Sequence, residues 1–562
     1  MQELKWRFFL VGTATCLVWT LCAGTSSGLA GKNDTSRPSF APDRVLVSFR
    51  PGSAKSDIGA LHSQAGGQVV KTLERIGVQV VEVPNGTVLS AIKKYQGNPN
   101  VLFAEPNYQR SLFLPATNEG SETEPTIENN FTEQWYLDNT DQSFGAVSVI
   151  DPITFEIEII APAYTGIADA DIDAPEGWAI TNGSADIKIA ILDSGVSCDH
   201  VDLDSKCLEQ VNFVEDHGSP MDDLVGHGTH VAAIAAAETD NGIGTAGIAW
   251  NAKIGSLKVC YEEMLLGEAV SATCDDDDLA AAIIYAADNE YNVINMSIAG
   301  IEISATLENA VNYAWNQGVV LVAGAGNEYG TTRHNPAAYA NVIGVTATDY
   351  NDNLASFSTF STDSDDWVSV AAPGDIIFSA VPAEFCGMAP NDPKGCYDWK
   401  SGTSMATPIV SGIAAMLWAH LPDATNVLVR QRLENSADMI GALGQNFLSW
   451  TQHGRVNLHK ALTGPPYGEN VSPAASFSSA SIGMSVIFTD QSTDSDGNIV
   501  SWDWNFADFN TSAVQNPNHT YATAGTYTVE LTVTDDNGAT DTTTQNVTVV
   551  KVKNKVVVIP LL

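Results

Sequence analysis

Basic residues are scarce in this chain. Across 562 residues, 26 Lys and Arg stand against 67 Asp and Glu, a formal net charge of −41. The scarcity is uneven. Residues 1–116 hold twelve Lys/Arg and seven Asp/Glu, a net of +5, which leaves fourteen and sixty for residues 117–562, a net of −46. A body this acidic repels phosphate backbones and anionic lipid, which excludes nucleic acid and membrane surfaces as partners of the downstream part. A mildly basic leader beside an acidic body suits two segments that dock on each other. The plainer reading is an acidic surface that solvates the protein.

Cysteine is also sparse, eight residues in all. No CxxC or Cys/His ligand spacing occurs, so a structural zinc site is excluded. Beyond residue 30 six remain, Cys198, Cys207, Cys260, Cys274, Cys386 and Cys396, in three sequence-local pairs. Fifteen pairings are formally open, and the nearest-neighbour set 198–207, 260–274 and 386–396 is the simplest. A disulfide closing a loop of the 260–274 size stabilises by about 3 kcal/mol in the chain-entropy model.

Long apolar runs are missing after residue 30, so no later segment can span a bilayer. The start of the chain differs. Lys5 and Arg7 precede an apolar run from Phe8 to about Cys22, and small residues follow through Ala30. This is the n-region, h-region and cleavable stretch of a secretory signal peptide, assigned to residues 1–30. Neither Cys16 nor Cys22 has a lipoprotein context. A secreted, extracellular protein follows, with no membrane association once the signal is removed.

At this length two to four domains are expected. Arg44–Phe49 alternates as a strand, Pro51-Gly52 turns, and a helix is expected around Asp57–Ala65. A strand pair at 69–73 and 77–83, a helix around 88–95 and a strand from Val101 to Tyr108 complete a small α+β unit. Its Glu105-Pro106-Asn107-Tyr108 tail resembles the end of the inhibitory propeptide of the subtilisin family, which assigns residues 31–116 to a propeptide. Residues 115–130 are polar and acidic, a linker within which the propeptide is cut away.

From residue 117 to 463 short β-branched runs alternate with Ala-rich helices. Strands are expected at 187–192, 293–296 and 318–323, with helices at 231–237, 279–290 and 405–421. That texture predicts an α/β domain, a parallel sheet covered on both faces. Residues 464–550 turn rich in Ser, Thr, Asp and Val, with Tyr527–Val533 alternating and Asp496-Gly497 and Asp536-Asn537-Gly538 as turns. This predicts a β-sandwich. Trp502-Asp503-Trp504-Asn505-Phe506, Asn518-His519-Thr520-Tyr521 and Gly525–Val529 together resemble a polycystic-kidney-disease (PKD) domain. Large aromatics dominate cores, so Trp502, Trp504 and Tyr521 read as core more readily than as ligand contacts. Residues 551–562 form a C-terminal tail.

Three segments carry chemistry. Leu192-Asp193-Ser194-Gly195 puts a carboxylate at the end of a buried strand. Gly226-His227-Gly228-Thr229-His230 puts an imidazole just before a helix. Ser401-Gly402-Thr403-Ser404-Met405-Ala406-Thr407-Pro408 puts a hydroxyl at a helix start. A serine hydroxyl is a weak nucleophile until a base takes its proton. Imidazole titrates in the right range, and a carboxylate fixes its tautomer. Gly324-Ala325-Gly326-Asn327 supplies an amide donor for an oxyanion.

Each segment alone is ordinary: a turn aspartate, a glycine-flanked histidine, an N-cap serine. Together, in the order Asp, His, Ser, they resemble the subtilisin family from about Gln134 to Leu462. The resemblance implies a secreted serine endopeptidase with Asp193 orienting, His227 as base, Ser404 as nucleophile and Asn327 as oxyanion donor. It also implies pocket walls at Ser297, Ile298, Ala299 and Gly300 on one side and Gly324, Ala325 and Gly326 on the other. His230 reads as a packed structural histidine.

The same resemblance implies a calcium site from Asp202, Thr239, Asn241, Ile243, Thr245 and Gln134, hard oxygen ligands suited to that ion. The plain alternative is an Asn-Gly turn. No organic cofactor is expected. The partners are protein or peptide substrates and the chain's own propeptide. Residues 138–168 form an insertion with no counterpart in the pattern, and the 260–274 loop replaces a usual pocket wall.

Asp275-Asp276-Asp277-Asp278 precedes a helix at the edge of the expected substrate groove. It reads either as a helix start, since Asp suits caps and first turns, or as a negative field that favours a basic residue two or four places before the cleaved bond. The rival to an enzyme is a catalytically silent adhesion or scaffold protein acting through its PKD module. The intact Asp193, His227, Ser404 and Asn327 set argues against it.

Overall fold

The structure is a computed structural model. It describes residues 39–112, 134–464 and 472–551, apart from internal stretches at 141–142, 145–146, 151–156, 162–163, 215–221, 266–267, 363–364, 384–395, 495–498, 509 and 536–538. The signal peptide, the linker and nearly all of the C-terminal tail expected from the sequence lie outside the described residues. The chain divides into two compact units, residues 1–464 and 465–562.

In the first unit, residues 40–111 form strands Phe40–Phe49, Gln68–Leu73, Val78–Glu82 and Val101–Ser111 with helices Lys55–Ala65 and Val88–Gln96. Alternating residues of the sheet (Val45, Val47, Val81) meet Leu61, Ala91, Ile92 and Tyr95 of the helices in one buried cluster. These elements agree with the sequence periodicity to within a few residues. The sheet continues into the rest of the unit. Val101–Ser111 pairs with Glu268–Asp275, which forms a hairpin with Cys260–Leu265, giving six strands in all.

Behind this lies an eight-stranded parallel sheet whose middle strands are Lys188–Asp193, Val293–Met296, Val320–Gly324 and Ile343–Thr348. Ile189 and Ile191 face one buried cluster with helices His227–Ala236 and Thr403–His420. Ala190 and Leu192 face a second with helices Asp276–Asp288 and Ala305–Asn316. Burial on both faces is why these strands read as continuous apolar runs. All eight are parallel, so their C-terminal ends share one edge, the usual place for a site.

Cys198–Cys207 and Cys260–Cys274 are disulfides, as nearest-neighbour pairing requires. Cys396 is also disulfide-bonded, while Cys386 lies outside the described residues. In the 138–168 insertion, Ser143–Phe144 pairs with Tyr164–Thr165, and Val147–Ile150 pairs with Ile157–Ala161, both antiparallel.

The second unit has a three-stranded and a four-stranded antiparallel sheet. Trp504, Phe506, Phe488, Tyr521, Val529 and Leu531 fill its core, with Trp502 partly buried against them. The indole N–H of Trp502 donates to Asp490 at 2.8 Å.

Candidate active site

Asp193 is the last residue of its strand and wholly buried. Its Oδ1 lies 2.7 Å from His227 Nδ1 and also accepts from the Ser194 backbone N–H at 2.7 Å. The pairing needs close approach of strand end and helix. A Cβ on Gly228 would lie 2.0 Å from the Gly195 carbonyl oxygen and 3.0 Å from Asp193 Cβ, so only glycine fits there. His227 is the first residue of its helix and not a residue before it, a correction to the expected start at Val231. The cause is Asp223. Its buried carboxylate accepts from the backbone N–H groups of Gly226 (3.0 Å) and Thr229 (2.8 Å), the Thr229 hydroxyl (2.7 Å) and the Ser194 hydroxyl (2.8 Å). It thus satisfies the Thr229 N–H of the first turn, while the Ser194 hydroxyl oxygen accepts from the Gly228 N–H at 3.2 Å. His227 Nε2, the nitrogen opposite Asp193, is buried and has no hydrogen-bond partner.

Ser404 is the second residue of helix Thr403–His420, 2% exposed, and its Oγ donates to the Ser297 carbonyl at 3.3 Å. Pro408 lies four residues on and has no N–H to give the Ser404 carbonyl. The Ser297 hydroxyl donates to that carbonyl instead, at 2.9 Å. A proline inside the helix therefore ties the serine to the pocket wall. Asn327 accepts from the Thr403 N–H (2.9 Å) and hydroxyl (3.1 Å) through Oδ1, which turns its amide nitrogen away from them.

Ser297, Ile298, Ala299 and Gly300 follow strand Val293–Met296, and Gly324 ends the neighbouring strand Val320–Gly324 before Ala325 and Gly326. Both walls thus leave the sheet at the same edge. Gly326 has φ +105°, and a Cβ there would meet the buried His334 ring at 3.2 Å. His230 is packed as expected: Nε2 lies 3.1 Å from the carbonyls of Ile377 and Asp398, and burial holds its pKa well below the ordinary value.

Around the residues read as a calcium site, Asp202 Oδ2 accepts from the Thr245 N–H (2.8 Å) and hydroxyl (3.1 Å), while Oδ1 is buried without a partner. Burial pushes this carboxyl up to about 6. A Cβ on Gly244 would lie 2.2 Å from that carboxylate. Gln134 is bonded to the Ala246 backbone through both amide atoms. Asn241 accepts from the Ile243 N–H at 3.1 Å, and the Thr239 hydroxyl donates to the Ala237 carbonyl at 3.0 Å. The orphaned buried carboxylate oxygen beside an oxygen-rich loop fits a hard cation. Among the described residues no group of three or more His, Cys, Asp or Glu gathers as a metal cluster.

The acidic run is a helix start, as one of its two readings expects. Helix Asp276–Asp288 begins inside it, and all four carboxylates are buried under the basic N-terminal region. Lys71 pairs with Asp278 at 2.7 Å and Asp277 at 3.5 Å. Asn107 caps the helix, accepting from the Asp277 N–H at 3.0 Å and donating to its carboxylate at 2.6 Å. Arg110 pairs with Asp276, both wholly buried side chains. Burial pushes the Asp276 carboxyl above its ordinary value, and Arg110 pulls it back.

Residues 184–468 match the model of the subtilase family, residues 470–550 that of the PKD domain, and residues 28–107 that of the fervidolysin N-terminal prodomain. The chain is 36% identical over 424 residues to a thermophilic serine proteinase of Bacillus sp. (strain AK1), covering 75% of this chain and 88% of that protein. It is 42% identical over 291 residues to thermitase of Thermoactinomyces vulgaris, covering 52% of this chain and 93% of that protein. The crystal structure of fervidolysin from Fervidobacterium pennivorans superposes with a TM-score of 0.57 at 24% identity, covering 91% of this chain and 76% of that one.

Proposed function

Because this chain belongs to the subtilase family of serine proteases, we propose that it is a secreted endopeptidase that cuts peptide bonds through an acyl-enzyme formed on Ser404. The observation that carries the residue roles is the 2.7 Å bond between His227 Nδ1 and Asp193, which leaves Nε2 unpartnered at the sheet edge where Ser404 lies. Asp193 fixes the tautomer in which Nε2 is the base. As Ser404 Oγ turns from the Ser297 carbonyl to attack the scissile carbonyl, His227 takes its proton and then gives it to the leaving amine. Water enters by the reverse path and frees the serine. The negative charge that develops on the substrate oxygen meets the Ser404 N–H, an orphan donor at the helix start, and the Asn327 amide.

Two further roles complete the reading. The N-terminal region, expected at residues 31–116, acts as an inhibitory propeptide that Ser404 itself cuts away after export. Asp202, with Asn241, Thr245 and the carbonyls of the 239–245 loop, holds a structural calcium ion that compensates the buried carboxylate. Labelling with a fluorophosphonate tests the nucleophile directly. Wild type takes the label at Ser404 and hydrolyses casein, and Ser404→Ala does neither and accumulates as the full-length precursor. An unlabelled, inactive wild type marks a silent scaffold instead. Truncation after Leu462 leaves hydrolysis of short peptides intact, since the second unit packs its aromatics into its own core.

A further inference from the structure

The prodomain's last described residues lie in a slot between two peptidase edges. On one side Gln109, Arg110 and Ser111 pair antiparallel with Asp275, Cys274 and Thr273, and the Leu112 N–H donates to the Ala272 carbonyl at 3.3 Å. On the other side Ser111 bridges Ala299, its N–H donating at 3.4 Å and its carbonyl accepting at 3.5 Å. Ala299 stands two residues from Ser297, whose carbonyl holds Ser404 Oγ. Any peptide lying in this antiparallel register brings the residue two places after the Ser111 position alongside Ser297 and the nucleophile. The position filled by Arg110 is then the fourth before the bond that is cut.

At that position the slot opens into a pocket built for a guanidinium. Arg110 is 1% exposed. Its Nε and Nη2 form a fork onto the two oxygens of Asp276, Nη2 to Oδ2 at 2.9 Å. Nη1 donates to the Asn335 carbonyl at 2.9 Å, and the carbonyls of Gly300 and Glu302 lie at 3.4 Å from the remaining N–H groups. The carboxylate and three carbonyls thus answer all the donors of a planar fork, a match that an ammonium or a neutral side chain does not reproduce. Every one of these acceptors belongs to the peptidase and remains when the prodomain leaves. The emptied pocket then keeps the Asp276 carboxylate without its counter-ion, an arrangement that rewards a returning cation and gives an apolar side chain nothing to pair with it. Glu105, Asn107 and Lys71 already fasten the prodomain outside the slot.

We propose that the mature enzyme selects substrates with arginine four residues before the cleaved bond, and that Asp276 is the residue that determines this specificity. The proposal rests on the peptidase reading above and adds to it the class of peptide that the site prefers. The test uses mature enzyme from the full-length chain and quenched fluorescent peptides of one sequence that carry Arg, citrulline, Lys or Ala at that residue. Citrulline keeps the shape of arginine and removes its charge. Expected is a kcat/KM about 10–100-fold higher for Arg than for citrulline or Ala, the range for a charge-assisted bond, with Lys between them. Because the pair is buried, added salt leaves most of this ratio in place. In Asp276→Asn the Arg-to-citrulline ratio falls to within about twofold. The wild-type citrulline comparison decides the matter even where that variant fails to mature. Cleavage of all four peptides at similar rates overturns the specificity and leaves the peptidase standing. Absence of both cleavage and fluorophosphonate labelling overturns the peptidase reading and this proposal with it.

Discussion

Glu105 and Thr306 stand 201 residues apart in sequence and meet at the start of a helix. Glu105 Oε1 accepts from the Thr306 N–H at 2.8 Å and its hydroxyl at 2.7 Å, while Oε2 accepts from the Ala305 N–H at 3.0 Å. The prodomain thereby places a carboxylate on the positive end of helix Ala305–Asn316, whose own cap is Ser304. Burial holds the Glu105 carboxyl above its ordinary pKa, so desolvation offsets part of the gain. In a Ser404→Ala background, which blocks the proposed self-cleavage, Glu105→Ala is expected to lower stability by on the order of 1–2 kcal/mol. Glu105→Gln loses less, since its amide oxygen still accepts. Thermal unfolding of the three precursors checks the order, and equal melting temperatures remove the cap from the account of docking.

Asn327 separates anchoring from catalysis within one side chain. Its oxygen is committed to Thr403, and its amide nitrogen is the group assigned to the oxyanion. Asn327→Ala lowers kcat by about 10²–10³, the usual loss of one oxyanion donor. Asn327→Asp keeps the acceptor for Thr403 and removes the donor, so its activity falls as far while its fold is retained. Steady-state kinetics beside circular dichroism distinguishes the cases. Full activity in the Asp variant assigns the oxyanion to other donors.

Calcium is tested by chelation. Asp202 Oδ1 is buried and unpartnered, so a bound cation offsets a desolvation penalty that the apo protein carries. A site held at a hundred times its Kd adds about 2.7 kcal/mol of stability. EGTA is expected to lower the melting temperature and speed autolysis, and returned calcium restores both. Asp202→Ala makes the melting temperature indifferent to EGTA. A wild-type melting temperature unmoved by EGTA rules out the ion.

Much of this architecture is legible locally. The strands and helices of residues 40–111 follow from alternation and turn signals, and the apolar runs at 188–193, 293–296 and 320–324 announce a sheet buried on both faces. Asp193, His227 and Ser404 stand out because short-range glycines and helix starts surround them. Three things lie beyond such a reading. Asp223 caps the histidine's helix from a loop, and its only local signal is a carboxylate three residues before Gly226. Pro408 looks like a helix breaker until Ser297 is seen to take the bond it leaves open. Arg110 passes unnoticed because its partner is 166 residues away. Periodicity carries information along an element, and nothing in it encodes which distant carboxylate a buried guanidinium meets.

The last prediction concerns acid. His62 lies nearly buried in the prodomain core, with Nδ1 2.9 Å from the Tyr95 hydroxyl, Nε2 2.9 Å from Gln79 Oε1, and the Phe49 ring edge-on beside it. Burial lowers its pKa below the ordinary 6.5, with the Gln79 bond pulling the other way. A group whose folded pKa lies below its unfolded value stabilises fully above the unfolded pKa. That contribution is lost as pH falls through the folded one. Acidification from about pH 7.5 to 5 therefore loosens the prodomain, because an imidazolium must either remain buried or break the core around Tyr95. Glu105 acts in the opposite sense, since its raised pKa makes protonation easier in the docked state. The measurement is hydrogen exchange of the Ser404→Ala precursor across that range. Protection of the amides in residues 40–111, taken relative to their intrinsic exchange rate at each pH, is expected to fall at the acid end, and His62→Gln, which stays neutral, flattens the dependence. If wild type and His62→Gln lose protection in parallel, the acid response belongs to other groups and His62 is only a packed core residue.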